Sequence, residues 1–91
     1  MANVVVTLRI MPESPETKIE AIENAARVAI KKFGGEVGKK EIAPFAFGLS
    51  SLTLYFVMDE SKGSTEDLEK VIAEVNGVSS VDVVDVRRTV G

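Results

Sequence analysis

Two short segments carry the side chains best suited to recognising a partner, and the first of them holds two phenylalanines. Phe45 and Phe47 lie in residues 44–49, where Pro44 and Gly48 argue against both rings being strand core. One interpretation is that one or both rings cover the end of the core. The other is that they form a rigid aromatic anchor at a protein interface, where aromatic side chains and arginine are enriched.

The second segment is the alternating run of residues 82–86, which is followed by two adjacent arginines, Arg87 and Arg88. Surface arginines often serve only solubility. A cationic tip on a rigid strand can also capture a carboxylate or a phosphate, or compete with a metal ion. Because neighbours on an extended strand point to opposite faces, only one of the two arginines can lead such an interaction.

The other residues leave little room for catalysis. The chain has no Cys and no His, which removes thiolate nucleophiles, disulfides, Ser-His and Cys-His dyads and the usual zinc sites. The glycine-rich residues 34–38 follow a predicted helix, whereas a phosphate loop follows a strand and opens a helix, so this stretch is interpreted as a helix stop and turn. Most of the usual catalytic repertoires are therefore missing from this sequence.

The acidic residues are not spaced like metal ligands. Residues 59–60 and 66–67 lack the spaced ligands of a calcium loop. The carboxylates at the start of the first predicted helix are expected to form a solvated face, and they are Glu13, Glu16, Glu20 and Glu23. The sequence predicts neither a metal nor a cofactor.

Length and charge limit the remaining function classes. A chain of 91 residues fits a single domain spanning residues 1–91, with a thin core and little room for an enclosed active site. The formal net charge of −3 disfavours direct binding to nucleic acid. No apolar run approaches the roughly 20 residues that span a bilayer, and residues 1–3 show no signal-like features. We expect a soluble, cytoplasmic protein that works through its surface.

Apolar periodicity predicts the first two elements that position these segments. Residues 4–11 alternate as in a strand. One face carries Val4, Val6, Leu8 and Ile10. The first helix is predicted to begin with Ser14 as N-cap and Pro15 at the first helical position, and to stop at Gly34.

The rest of the chain is predicted to form three more strands and a second helix. Residues 36–43 read as an edge strand because charged side chains run along them, and residues 49–58 as a central strand. Ser64 and Asp67 resemble a capping box ahead of a second helix that ends near Gly77. The last strand, residues 78–86, changes phase near Val83, which a β-bulge would reconcile.

The predicted order β-α-β-β-α-β is that of a ferredoxin-like fold, an α/β (α+β) sandwich. Its four-stranded antiparallel sheet has the first and third strands in the centre and both helices on one face. The connection that holds Phe47 and the strand end that holds Arg88 then lie at opposite ends of the sheet, about 25 Å apart.

Three segments together resemble the archaeal elongation factor 1-beta proteins and the C-terminal guanine-exchange domain of their eukaryotic relatives. They are residues 4–15, residues 44–49 and residues 78–88, and the resemblance covers nearly the whole chain. It implies a ferredoxin-like fold and a non-enzymatic factor that binds the GTPase elongation factor 1-alpha, loosens its GDP and magnesium, and lets GTP enter.

The resemblance also implies which residues contact the GTPase. The aromatic residue of the family's Phe-Gly loop corresponds to Phe47, followed by Gly48, and Phe45 lies where the relatives often have an aliphatic residue. A lysine near the chain end of the eukaryotic relatives, which intrudes on the magnesium and phosphate site, corresponds to Arg88, with Arg87 as second choice. We expect a monomer when the protein is free.

The alternative from another class is a small-molecule-sensing or enzyme-associated ferredoxin-like regulatory module, since this fold hosts many functions. Metal-carrying members of the fold need a Cys pair, and RNA-binding members need stacking aromatics on the central strands. Tyr55 is the one aromatic residue predicted on the open face of the sheet.

Overall fold

The alternating segments of the sequence form four strands, and two segments with helical spacing form helices. The computed structural model describes residues 3–89, so the prediction made on Met1 and Ala2 lies outside the described residues. The elements in chain order are β1 (Asn3–Pro12), α1 (Ile19–Phe33), β2 (Glu36–Pro44), β3 (Ser50–Asp59), α2 (Glu66–Ala73) and β4 (Val78–Thr89).

The four strands form one antiparallel sheet in the order β2-β3-β1-β4. β1 and β3 are central, and β2 and β4 are the edges, as predicted. Element order and sheet order together confirm the ferredoxin-like sandwich. Neither α1 nor α2, the helices within residues 3–89, is long and apolar enough to cross a membrane.

The core lies between the sheet and the two helices. Every second side chain of β1 and β3 points into it, including Leu8 and Phe56, which are fully buried. The helices contribute Ile22, Ala26, Ile30, Leu68 and Ile72. Full burial of one such side chain stabilises the fold by about 1.5–3 kcal/mol, so this alternation fixes which face of the sheet carries the helices.

Both predicted helix starts are wrong. Ser14 is not an N-cap: its carbonyl accepts a hydrogen bond from the Thr17 N–H at 3.1 Å, which makes a separate turn, and α1 begins only at Ile19. The neighbouring Glu13 N–H donates to the Gly77 carbonyl at 2.8 Å, which ties this turn to the entry of β4. The backbone of residues 13–17 is therefore engaged in a turn and a long-range contact instead of a first helical turn.

The predicted capping box of α2 is also displaced. The Ser64 hydroxyl accepts a hydrogen bond from the Glu66 N–H at 3.1 Å, and α2 begins at Glu66. Thr65, not Ser64, is the residue before the helix, and its hydroxyl donates to Glu69 at 3.0 Å. α2 ends at Ala73, earlier than predicted.

The predicted helix stop and the predicted bulge are confirmed. Gly34 ends α1 in the left-handed conformation, with φ of 105°. In β4, Val83 pairs with Leu8 and Asp85 pairs with Thr7, so Val84 is the extra residue of a β-bulge. β4 continues past the predicted end and carries the pairing through Arg88 and Thr89.

One carboxylate predicted to be solvated is buried instead. Glu23 of α1 is 7% exposed, and it accepts hydrogen bonds from the Lys40 ammonium and the Arg27 guanidinium, both at 2.8 Å. The hydrogen bond from Lys40 holds the pKa of Glu23 below its usual value, with help from Arg27 and against the effect of burial. This ion pair fastens α1 to the edge strand β2.

We expect Glu23→Gln to lower the free energy of unfolding by about 1–2 kcal/mol near neutral pH, because the change removes a buried charge that two cations face. A carboxylate whose pKa is lowered by folding stabilises the native state at pH values above its pKa in the unfolded chain. This stabilisation is lost as the pH falls through the pKa that the carboxylate has in the folded protein. Urea unfolding should therefore show the difference between the two proteins shrinking below about pH 4.5.

Glu41→Gln is the matched control. Glu41 forms an exposed ion pair with Lys39 on the same strand, at 3.0 Å, and its loss should change stability by less than about 0.5 kcal/mol. Equal effects of the two substitutions at every pH would contradict the structural role assigned to Glu23.

Candidate functional site

The loop between β2 and β3 is short and closed by its own backbone. The Phe45 N–H donates to the Leu49 carbonyl at 2.7 Å, and the Leu49 N–H donates to the Ala46 carbonyl at 3.2 Å. These bonds hold a single 3-10 turn, Ala46–Gly48, between two strands of the sheet. The loop therefore presents its side chains from a fixed backbone.

Phe47 occupies the most unusual position in this loop. Its side chain is 92% exposed, and its backbone is left-handed, with φ of 62° and ψ of 28°. No other non-glycine residue within residues 3–89 has a positive φ. For a bulky L-residue this conformation costs on the order of 1–2 kcal/mol. An exposed ring contributes nothing to the core that would offset this cost, so Phe47 is the strongest candidate for a partner contact.

The residues on either side of Phe47 support its position. Gly48 also has a positive φ, 75°, which explains why glycine suits this place, and Pro15 lies beside it, 3.7 Å from where a Cβ would stand. The side chain of Phe45 is 52% exposed. Phe47 thus does not cover the core, and Phe45 is half-buried at the base of the loop.

The two arginines lie at the end of β4, on opposite faces. Arg88 pairs with Val4, whose side chain is buried beneath the helices, and Arg87 pairs with Val5 on the open face. Arg87 Nε donates to Asp85 Oδ2 at 2.9 Å. The alternation expected for an extended strand therefore separates the two guanidinium groups.

Arg88 is held by a carboxylate that the sequence did not indicate as its partner. Its Nε donates to Glu60 Oε2 at 2.5 Å and its Nη2 donates to Glu60 Oε1 at 2.6 Å, so the two planar groups meet through a pair of bonds. The hydrogen bonds from Arg88 hold the pKa of Glu60 below its usual value. Glu60 follows β3 and is 28 residues away in sequence, so only the sheet register brings the two together.

The loop of residues 45–49, here called the aromatic loop, and the end of β4 that carries Arg87 and Arg88, here called the arginine end, are far apart. Arg88 pairs with Val4, which pairs with Met58 near the end of β3, whereas Phe47 precedes Ser50 at the start of that strand. The span from Ser50 to Met58, at about 3.3 Å per residue, separates the two ends by about 26 Å. This confirms the prediction that the two segments lie at opposite ends of the sheet and cannot form one patch.

The open face of the sheet lies between these ends. Its aromatic residue, Tyr55, pairs with Thr7 of β1 and with Lys39 of β2, and the Lys39 ammonium lies 5.3 Å from the centre of its ring. A lone tyrosine beneath a lysine is not the row of stacking aromatics that a single-stranded RNA surface needs.

The fold is shared with solved structures of distant sequence. The ACT domain from GTP pyrophosphokinase of Chlorobium tepidum matches with a TM-score of 0.62 at 18% identity, covering 90% of this chain and 99% of that one. The C-terminal domain of a cyclometallase involved in the synthesis of the NPN cofactor of lactate racemase matches with a TM-score of 0.64 at 11% identity, covering 99% of this chain and 58% of that one. At such identities the likeness shows the fold alone.

Relatives of similar sequence identify the family as well as the fold. Elongation factor 1-beta of Methanobrevibacter smithii is 42% identical, over 97% of this chain and 98% of that protein. Elongation factor 1-beta of Thermofilum pendens is 40% identical over the full length of both chains. The family model of the EF-1 guanine nucleotide exchange domain matches residues 5–89, which include the aromatic loop and both arginines. The chain therefore belongs to the EF-1 guanine nucleotide exchange domain family, together with the archaeal elongation factor 1-beta proteins.

Proposed function

We propose that this protein promotes the exchange of GDP for GTP on elongation factor 1-alpha and that it grips the GTPase at two separate places. Membership of the exchange-domain family supports the activity and the partner. The observation that carries the site is Phe47, an almost fully exposed aromatic side chain on a left-handed backbone. The function is thus that of a translation elongation factor.

Exchange of this kind needs no chemistry on covalent bonds. A factor that binds the nucleotide-free GTPase more tightly than the nucleotide-bound form accelerates nucleotide release, and the same coupling makes nucleotide weaken the factor's own grip. We therefore propose that the protein is not an enzyme and that it works by differential binding.

Phe47 is the proposed anchor. Its ring can bury a large apolar area in a pocket of the GTPase, and the backbone bonds of the loop mean that little conformational freedom is lost on binding. Phe45 and Gly48 flank the anchor and line the same contact. A rigid exposed aromatic side chain is the type of residue that dominates interface energetics.

Arg88 is the proposed group that disturbs the magnesium and phosphate site. Its guanidinium carries a permanent charge and a fork of donors that suits carboxylates and phosphates. Arg87, on the opposite face and paired with Asp85, is the second choice. With about 26 Å between the ends, the arginine end would meet the nucleotide domain while the aromatic loop meets a neighbouring domain.

We propose a single exchange domain over residues 1–91 that is a monomer when free, makes no direct contact with nucleic acid, and acts in the cytoplasm where translation takes place. The alternative of a ligand-sensing regulatory module is supported only by a likeness of fold to an ACT domain at 18% identity, so it is not favoured.

The direct test is release of a fluorescent GDP from elongation factor 1-alpha with and without this protein. Acceleration that saturates with increasing protein supports the proposal. Release that stays at its spontaneous rate in several-fold molar excess of this protein would contradict it.

We expect Phe47→Ala to weaken binding to elongation factor 1-alpha by more than about 1 kcal/mol, because an interface hot spot loses its buried ring. The free energy of unfolding should not fall, because the ring is exposed and the left-handed backbone is strained. Calorimetric titration and urea unfolding measure the two effects separately.

Two further variants sharpen this test. Phe47→Asn places a residue that tolerates the left-handed conformation, so it should lose binding while keeping at least wild-type stability. Val28→Ala removes an exposed apolar side chain of α1 and should leave binding unchanged. Unfolding of the domain by Phe47→Ala would instead favour a core role for the ring.

We expect Arg88→Ala to slow GDP release more than it weakens binding, since the guanidinium is proposed to act on the nucleotide site. Arg88→Lys keeps the charge and should retain much of the activity. Rates at saturating protein and half-saturating concentrations separate the two effects. Loss of activity in Arg87→Ala, with Arg88→Ala silent, would reverse the assignment of the leading arginine.

A further inference from the structure

Glu60, which pairs with Arg88 in this protein, lies in a hydrogen-bonded turn. Glu60 begins the 3-10 turn Glu60–Lys62 that follows β3. The Asp59 carboxylate accepts a hydrogen bond from the Ser61 N–H at 2.8 Å, which closes the start of this turn. Gly63, with φ of 76°, ends it. The Glu60 carboxylate is therefore supported by its own local structure as well as by Arg88.

The geometry of the pair is that of anion recognition. Two parallel N–H groups of a guanidinium meet two oxygens of a carboxylate, the arrangement that arginine also makes with phosphate and with carboxylates of other proteins. While Glu60 is in place, it uses the donor pair and neutralises the charge of Arg88. An anion of the GTPase that binds this Nε–Nη2 edge of the guanidinium competes with Glu60 for it.

The exposure of the pair shows that such competition is possible. The Arg88 side chain is 70% exposed and the Glu60 side chain is 41% exposed, so the contact lies at the surface, where a competing anion can reach both groups. Exchange of one anion for another at this edge costs no rearrangement of the core.

We propose that Glu60 is a positioning residue that restrains exchange: it occupies Arg88 in the free protein until a phosphate or carboxylate of the GTPase site takes its place. This inference rests on the proposed function. Glu60 thus sets how much of the charge of Arg88 reaches the nucleotide site.

The test compares Glu60→Gln with wild type in the fluorescent-GDP release assay. Glutamine keeps the size and one acceptor of the side chain but removes its charge. We expect the exchange rate at subsaturating protein to rise about two- to fivefold, the change that corresponds to an exposed ion pair, and the gain to shrink at high salt. Glu66→Gln, at the start of α2 and without a described bond to Arg88, gives the matched change in net charge and should leave the rate unchanged.

Two readouts separate this role from a structural one. In the background of Arg88→Ala, the substitution Glu60→Gln should have no effect on the rate, because its action passes through the guanidinium. The NMR resonance of the Arg88 Nε–H should move in Glu60→Gln, and should move in the wild-type protein when elongation factor 1-alpha with GDP is added.

The outcomes distinguish this inference from the proposed function. Accelerated release by the wild type, with Glu60→Gln at or below the wild-type rate, would overturn the restraining role alone. So would an equal gain in Glu66→Gln. A wild-type protein that leaves GDP release unchanged would overturn the proposed function and this inference together.

Discussion

The pairing of β1 with both of its neighbours is the constraint on which the rest of the structure depends. Its alternating side chains bury one face of the sheet beneath the helices, and its registers with β3 and β4 set which residues share each level of the sheet. The same registers bring Arg88 beside the turn that carries Glu60 and keep both far from the aromatic loop. A slip of one residue would turn every side chain of the slipped strand to the other face, so the sites and the core are fixed together.

The two ends of the sheet hold their side chains in different ways. At the aromatic loop, backbone hydrogen bonds maintain a strained conformation and leave the ring in solvent. At the other end, a pair of charge-assisted bonds holds a guanidinium at the surface. The first arrangement limits the freedom that the ring would lose on binding, which favours affinity for a partner, whereas the second engages the guanidinium until a competing anion replaces Glu60. In the proposed mechanism, one end supplies binding energy and the other supplies charge.

Local patterns predicted most of the fold, and long-range contacts account for what they missed. The alternation of β1 predicted the core face, and the phase change near Val83 predicted the bulge. Glu23 was predicted to be solvated because a carboxylate on a helix usually faces water. Instead it accepts a hydrogen bond from Lys40 on β2, which is 17 residues away in the sequence. The pairing of Glu60 with Arg88 was not predicted for the same reason, because 28 residues separate them in the sequence. The nearby Pro44 and Gly48 singled out Phe47 as a candidate, but no sequence pattern predicted its left-handed backbone conformation.

The central claim is that one exchange factor acts through two independent contacts about 26 Å apart. A double-mutant cycle on the exchange rate of elongation factor 1-alpha tests it most directly, with Phe47→Ala, Arg88→Ala and the two combined, measured as fluorescent GDP release at subsaturating protein. Sites that far apart and without shared partners should lose activation free energies that add within about 0.5 kcal/mol. A coupling energy well above that value, or a double variant no slower than one of the single variants, would contradict the account.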